Sequence, residues 1–225
     1  IESAEYDDAQ GLLPTISTVV TALERALSQL PNLCILVNTV IPEKIEDLKK
    51  DYDVLEAQGL PLYNLAFQTK LGEWNNDLNI IRTRLTKLQI GNIMESLDAL
   101  QSEIEEMREL LNNEQNDKNF FEAHNEEIYQ NVVDLEKSFL KICSLLPELY
   151  RTYVVTDERK EKVEALKQTM NSLGTTKQSL DNYVHSSLKQ PYSTLKGKLD
   201  ELNDQYATAK EGMEEFKQYI EFLKT

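Results

Sequence analysis

One apolar register runs through the middle of the chain with alternating steps of four and three: Ile93, Leu97, Leu100, Ile104, Met107 and Leu111, then in the same phase Phe121, Ile128, Val132, Leu135, Phe139, Ile142, Leu146, Leu149 and Tyr153. Such spacing places all these side chains on one stripe of an α-helix. From Ile93 to Tyr153 the stripe predicts about 90 Å of helix at ~1.5 Å per residue, far longer than a compact globular domain uses. Two further seams obey the same rule. One runs Phe67, Leu71, Trp74, Leu78, Ile81, Leu85, Leu88, and the other runs Tyr192, Leu195, Leu199, Leu202, Tyr206, Ala209, Met213, Phe216, Ile220, Leu223. Helices with a single apolar seam bury it only against similar seams. No period-two run signals a strand, so the fold class is all-α.

Glycine and proline divide the pattern. A first helix spans roughly Ser3 to Leu30 with Ile16, Val19, Leu23, Ala26 and Leu30 on its apolar face. Pro31 interrupts it, yet Leu33, Val37 and Val40 keep phase, which predicts a kinked continuation. Pro42 opens a segment carrying Ile45, Leu48, Tyr52 and Leu55, stopped by Gly59 as a C-terminal cap and by Pro61. The Phe67 to Leu88 helix ends at Gly91. After the long helix, Thr156 or Asp157 caps a helix through Val163, Leu166, Met170, Leu173, Leu180, Val184 and Leu188. Pro191 is placed as the first residue of the last helix. At Glu114, Lys118 and Asn125 the long seam turns polar, which predicts a handover between two sets of partner helices where burial is least.

The chain thus reads as an elongated array of antiparallel three-helix repeats of the spectrin type, joined by continuous helices. Residues 1–31 form the terminal helix of a preceding repeat, 32–119 one repeat, and 120–225 another. Ser28-Gln29-Leu30-Pro31-Asn32-Leu33 and Ser144-Leu145-Leu146-Pro147-Glu148-Leu149 add a faint internal likeness. The chain begins at Ile1 and stops within a seam, so it reads as a piece of a longer protein.

The formal charge is −15 with a pI near 4.6. That balance argues against a nucleic-acid binder, which needs clustered Lys and Arg, and against a polybasic membrane face. No stretch is apolar and long enough for a membrane span, and no signal peptide opens the chain. Between Asn92 and Glu127 eleven acidic side chains face only Arg108 and Lys118. Most such faces are solvated surface, but Glu103, Glu106 and Glu109 are the candidate protein-contact strip. Cys34 and Cys143 sit among apolar neighbours and read as buried free thiols, which fits a reducing compartment, although one disulfide between them stays open. Neither has a Cys-x-x-Cys partner or a nearby His. His124 and His185 lie in different repeats as exposed or half-exposed imidazoles, and no glycine-rich loop precedes a helix. No catalytic, cofactor-binding or metal-ligating set is apparent. Trp74 belongs to its helix seam and is read as core.

The run Leu30-Pro31, Leu33, Ile41-Pro42, Ile45, Leu48, Asp51-Tyr52 and Gly59-Leu60-Pro61-Leu62, with the later Gln190-Pro191-Tyr192-Ser193, resembles the EzrA family of septation ring formation regulators. Two features depart from the family pattern: Asp51-Tyr52 and Gly59-Leu60 replace Gly-Tyr pairs, and Gln130-Asn131 is followed by Val132, so the Gln-Asn-Arg motif is not present there. The resemblance implies a non-enzymatic cytoplasmic segment of a membrane-anchored protein at the division septum. It also implies that the segment binds FtsZ and other division proteins, modulates ring assembly, needs no cofactor, and possesses its anchor outside these residues. A generic coiled-coil tether with another protein partner is the alternative, and self-association is open for either.

Overall fold

The computed structural model describes residues 2–87, 89 and 92–224. Among them there is no strand. Helix α1 covers Glu2–Ile35 and passes through a π-helical turn, Leu36–Val40, into α2, Ile41–Ala57. A 3-10 turn at Tyr63–Leu65 precedes α3, Phe67–Thr86; α4 is Ile93–Thr152, α5 Asp157–Val184 and α6 Tyr192–Lys224. The sequence expectations at Leu88 and Gly91, and for the side chains of Ala26 and Leu223, lie outside the described residues.

Pro31 is accommodated inside α1, and the chain stays helical beyond it. The π turn further on has a local cause. The Ile41 N–H donates to the Leu36 carbonyl, a five-residue step, and the next residue, Pro42, has no N–H to continue that ladder. The carbonyl it leaves open is that of Val37, and the Arg82 guanidinium from α3 donates to it at 3.3 Å. Val37 itself is fully buried, so without Arg82 its carbonyl would face a protein interior unpaired. At the end of α2, Gly59 takes φ +81° and donates its N–H to the Glu56 carbonyl at 2.8 Å, the left-handed cap that its position in the sequence called for.

The chain divides into two compact units, one of Ile1–Leu55 with Leu65–Leu111, the other of Glu56–Asn64 with Asn112–Thr225. In the first, most positions of the named seams are buried: Leu33, Val37, Ile45, Leu48 and Tyr52, with Ile41 beside them; Phe67, Trp74, Leu78, Ile81 and Leu85; and the α4 seam from Ile93 to Leu111, whereas Val40, Leu55 and Leu71 are half-buried. Tyr52 stacks on Phe67 at 4.3 Å between centroids, and Phe67 meets Trp74 edge-on at 6.1 Å. The earlier part of α1 is different. Its apolar residues Leu12, Ile16, Val19 and Leu23 are each more than half exposed.

In the second unit, Phe121, Val132, Leu135, Ile142 and Leu149 of α4 close on Leu166, Met170, Leu173 and Leu180 of α5 and Leu199, Leu202, Ala209 and Met213 of α6. Helix α5 stops at Val184, so Leu188 is not part of it and stands exposed in the connection. The chain must leave the helix before Pro191, because proline pushes its predecessor toward extended backbone. Pro191 supplies the carbonyl that accepts from Thr194 and Leu195 N–H, one position ahead of the helix proper.

Two further sequence expectations need correction. Cys34 is exposed and Cys143 only half-buried; both are free. Leu33 and Val37 turn inward, and the residue between them at about 100° around the helix faces out. The polar break in the long seam is also not a region of least burial. Glu114 is only 3% exposed, whereas Lys118 and Asn125 are half-buried. The Glu114 carboxylate accepts from the backbone N–H groups of Tyr192 at 2.8 Å and Ser193 at 3.4 Å, and from the Ser193 hydroxyl. These are first-turn N–H groups with no partner inside α6. The acid on α4 is the external cap of α6, and a carboxylate at a helix N-terminus is favoured by the helix dipole as well.

Candidate protein-contact surface

Glu103, Glu106 and Glu109 all lie exposed on α4 in the first unit. Steps of three residues drift by about 60° each on a 3.6-residue helix, so the three spread around roughly a third of the circumference. Their surroundings differ. Glu103 accepts from the Trp74 indole N–H at 3.1 Å and from Lys70 at 3.4 Å, while Lys70 also pairs with Glu73 at 3.1 Å. Glu103 therefore fastens α4 to α3 over the aromatic cluster. Glu106 takes a bond at 3.3 Å from Ser102, one turn before it. Glu109 has no hydrogen bond or ion pair among the described residues. Nearby, Arg108 reaches Glu105 at only 3.9 Å, and its Nε is buried without a partner. The face can present negative potential to a basic partner, with Glu106 and Glu109 free to do so and Glu103 already committed within the fold.

A second polar cluster, in the other unit, escaped the sequence reading. Lys177 of α5 pairs with Glu136 of α4, and the Tyr129 hydroxyl donates to Asp181 at 3.0 Å. The bond to Asp181, with some burial, raises the Tyr129 pKa above the usual phenol range. Glu136 adjoins the seam residue Leu135, so an acid beside one seam and a lysine beside another were the available signal; which seams face each other was not.

Burial raises the Cys143 thiol, only partly offset by Lys167, which disfavours the reactive thiolate. His124 packs against Phe120 at 4.5 Å, and the His185 Nδ1 lies 2.9 Å from the Asp181 carbonyl. Among the described residues no three His, Cys, Asp or Glu side chains converge to hold a metal ion, and no helix is long and apolar enough to cross a membrane.

The family model described as septation ring formation regulator, EzrA, matches residues 1–225. The chain belongs to the EzrA family. A septation ring formation regulator EzrA from Streptococcus gordonii is 20% identical over 218 residues, covering 94% of this chain and 38% of the relative. One from Listeria innocua is 16% identical over 157 residues, covering 70% of this chain and 28% of the relative. The chain thus spans well under half the length of these EzrA proteins. No solved structure gives a significant match. Membership in EzrA agrees with the resemblance carried by the Pro31, Pro42, Gly59 and Pro191 region.

Proposed function

We propose that this chain is a non-catalytic scaffold segment of a division regulator, which binds FtsZ and modulates assembly of the division ring from a membrane-anchored position at the septum. Membership of the EzrA family over the whole chain is the observation that carries the reading. Its architectural counterpart is an array of spectrin-like three-helix repeats: residues 32–119 and 120–225 are two of them, and 1–31 closes one before. The exposed stripe of Leu12, Ile16, Val19 and Leu23 supports the last point, because a stripe of that kind is the core-facing side of a helix.

Co-sedimentation with FtsZ polymers tests the function. Binding is expected without nucleotide or metal held by this chain. If the acidic face of α4 docks the partner, binding weakens with ionic strength. Glu106→Lys with Glu109→Lys should then weaken it severalfold while the fold persists. Glu103→Gln belongs in a separate variant, since that carboxylate holds Trp74. Unchanged binding by the double variant would move the contact to another face, and absence of co-sedimentation would remove FtsZ as a direct partner of this segment.

A further inference from the structure

In the second unit an open cavity of about 270 Å³ lies between the start of α5 and the later part of α6. Its floor is apolar. Leu166 and Phe216 line it, and the hydroxyls of Thr169 and Thr208 are bonded to the carbonyls of Ala165 and Asp204 one turn back, so neither needs a partner from the groove. Gly212 lets α6 come close to α5 at this groove: a Cβ there would lie 3.0 Å from the Leu166 Cδ1. The rim is cationic. Arg159 lies over the Tyr219 ring, 4.6 Å from its centroid, and Lys162 stands beside it, with Glu215 the one acid on the lining.

The charges are the informative part. Acids outnumber bases 39 to 24 in the chain, and neighbouring Lys160 and Lys167 are each held by a carboxylate. Arg159 and Lys162 have no ion pair among the described residues. A guanidinium stacked on a tyrosine keeps its N–H edge free for bidentate contact with a carboxylate. We infer that this groove is a docking site for a short acidic peptide segment with an apolar side chain, its carboxylates on Arg159 and Lys162 and its apolar group on Leu166 and Phe216. The site is separate from the acidic face of α4 and does not depend on the identity of the partner proposed for that face.

Fluorescence polarisation with a fluorescein-labelled Asp-Glu-Phe-Leu-Asp peptide tests it. The overall charge of the chain repels this probe, so attraction must come from a local site. Saturable binding below about 1 mM is expected. Arg159→Glu with Lys162→Glu should weaken it at least tenfold, and so should Thr208→Trp, which fills the groove from an exposed position. Lys198→Glu, a charge reversal elsewhere on α6, should leave it unchanged, and helical content is read in parallel to show that each variant folds. Absence of saturation would overturn the proposal. So would equal binding of an Asp-Glu-Ser-Ser-Asp peptide, displacement by free glutamate at equal concentration, or a loss in Lys198→Glu as large as in the groove variants.

Discussion

At the scale of single residues, Glu114 has the clearest energetic role. It is a buried carboxylate whose acceptors are filled by Tyr192 N–H, Ser193 N–H and the Ser193 hydroxyl. Glu114→Ala removes the acceptor from two part-buried first-turn N–H groups of α6, at about 1 kcal/mol for each bond lost, so thermal unfolding of the second unit should shift down by a few degrees. Glu114→Gln, which keeps an acceptor, should cost less. The sequence marked Glu114 as an anomaly in an otherwise apolar seam, but its partner is Ser193, seventy-nine positions away, and no local pattern reveals a cap supplied from that distance. Tyr129 and Tyr192 give a pH prediction at the same scale. The bond to Asp181 raises the first, and burial raises the second. A phenol whose folded pKa exceeds its unfolded value of about 10 keeps its proton longer in the folded state. Its contribution is fully present below about pH 10 and is lost as pH rises toward the folded pKa. Tyr129→Phe with Tyr192→Phe should flatten the fall in melting temperature on the alkaline side; an unchanged slope would assign the fall to other groups.

At the scale of elements, the prolines show what local reading captures. Pro31 keeps its helix in phase as the seam Leu33, Val37 foretold, and its companion motif behaves alike over a short range. Ser28 and Ser144 each bond the carbonyl three residues back at 2.7 Å, with a proline following inside the helix. Beyond that the two motifs diverge, for α4 ends at Thr152 while the chain after Pro31 remains helical to Ala57. Pro42, the local cause of the π turn, is visible in the sequence, but Arg82, which comes from α3 to take the Val37 carbonyl, is forty-five positions away and was not legible. Arg82→Ala should destabilise the first unit by about 1–3 kcal/mol, and hydrogen exchange should quicken first around Leu36–Val40. Phase alone extends α5 to Leu188, four residues past its end at Val184. Phase persists through a connection that the backbone has already left, which is why periodicity finds an element better than its end.

At the scale of the whole chain, the seams specified an all-helical fold because each apolar stripe has only another stripe to bury against, whereas the grouping of Glu56–Asn64 with Asn112–Thr225 was not legible, since that connection carries no seam. The acidic strip was less legible. Counting charges located it, but only the bond from Trp74 shows that Glu103 serves the fold first. The position of Trp74 also makes the units separable by experiment. Leu199 is fully buried in the second unit, so Leu199→Asp, which buries a carboxylate without a basic partner at a cost of several kcal/mol, should unfold that unit while Trp74 fluorescence in the first stays native. Loss of both signals in one transition would contradict quasi-independent repeats. The claim on which the scaffold reading most depends is that α4 runs without a break through Asn112–Asn119, where the two units meet along the sequence. Spin labels on cysteines introduced at the exposed positions Ser102 and Gln130, with Cys34 and Cys143 replaced by serine, measure it directly: a narrow distribution centred at about 40 Å is expected from the ~1.5 Å rise per residue, and a broad or much shorter one would contradict a continuous helix.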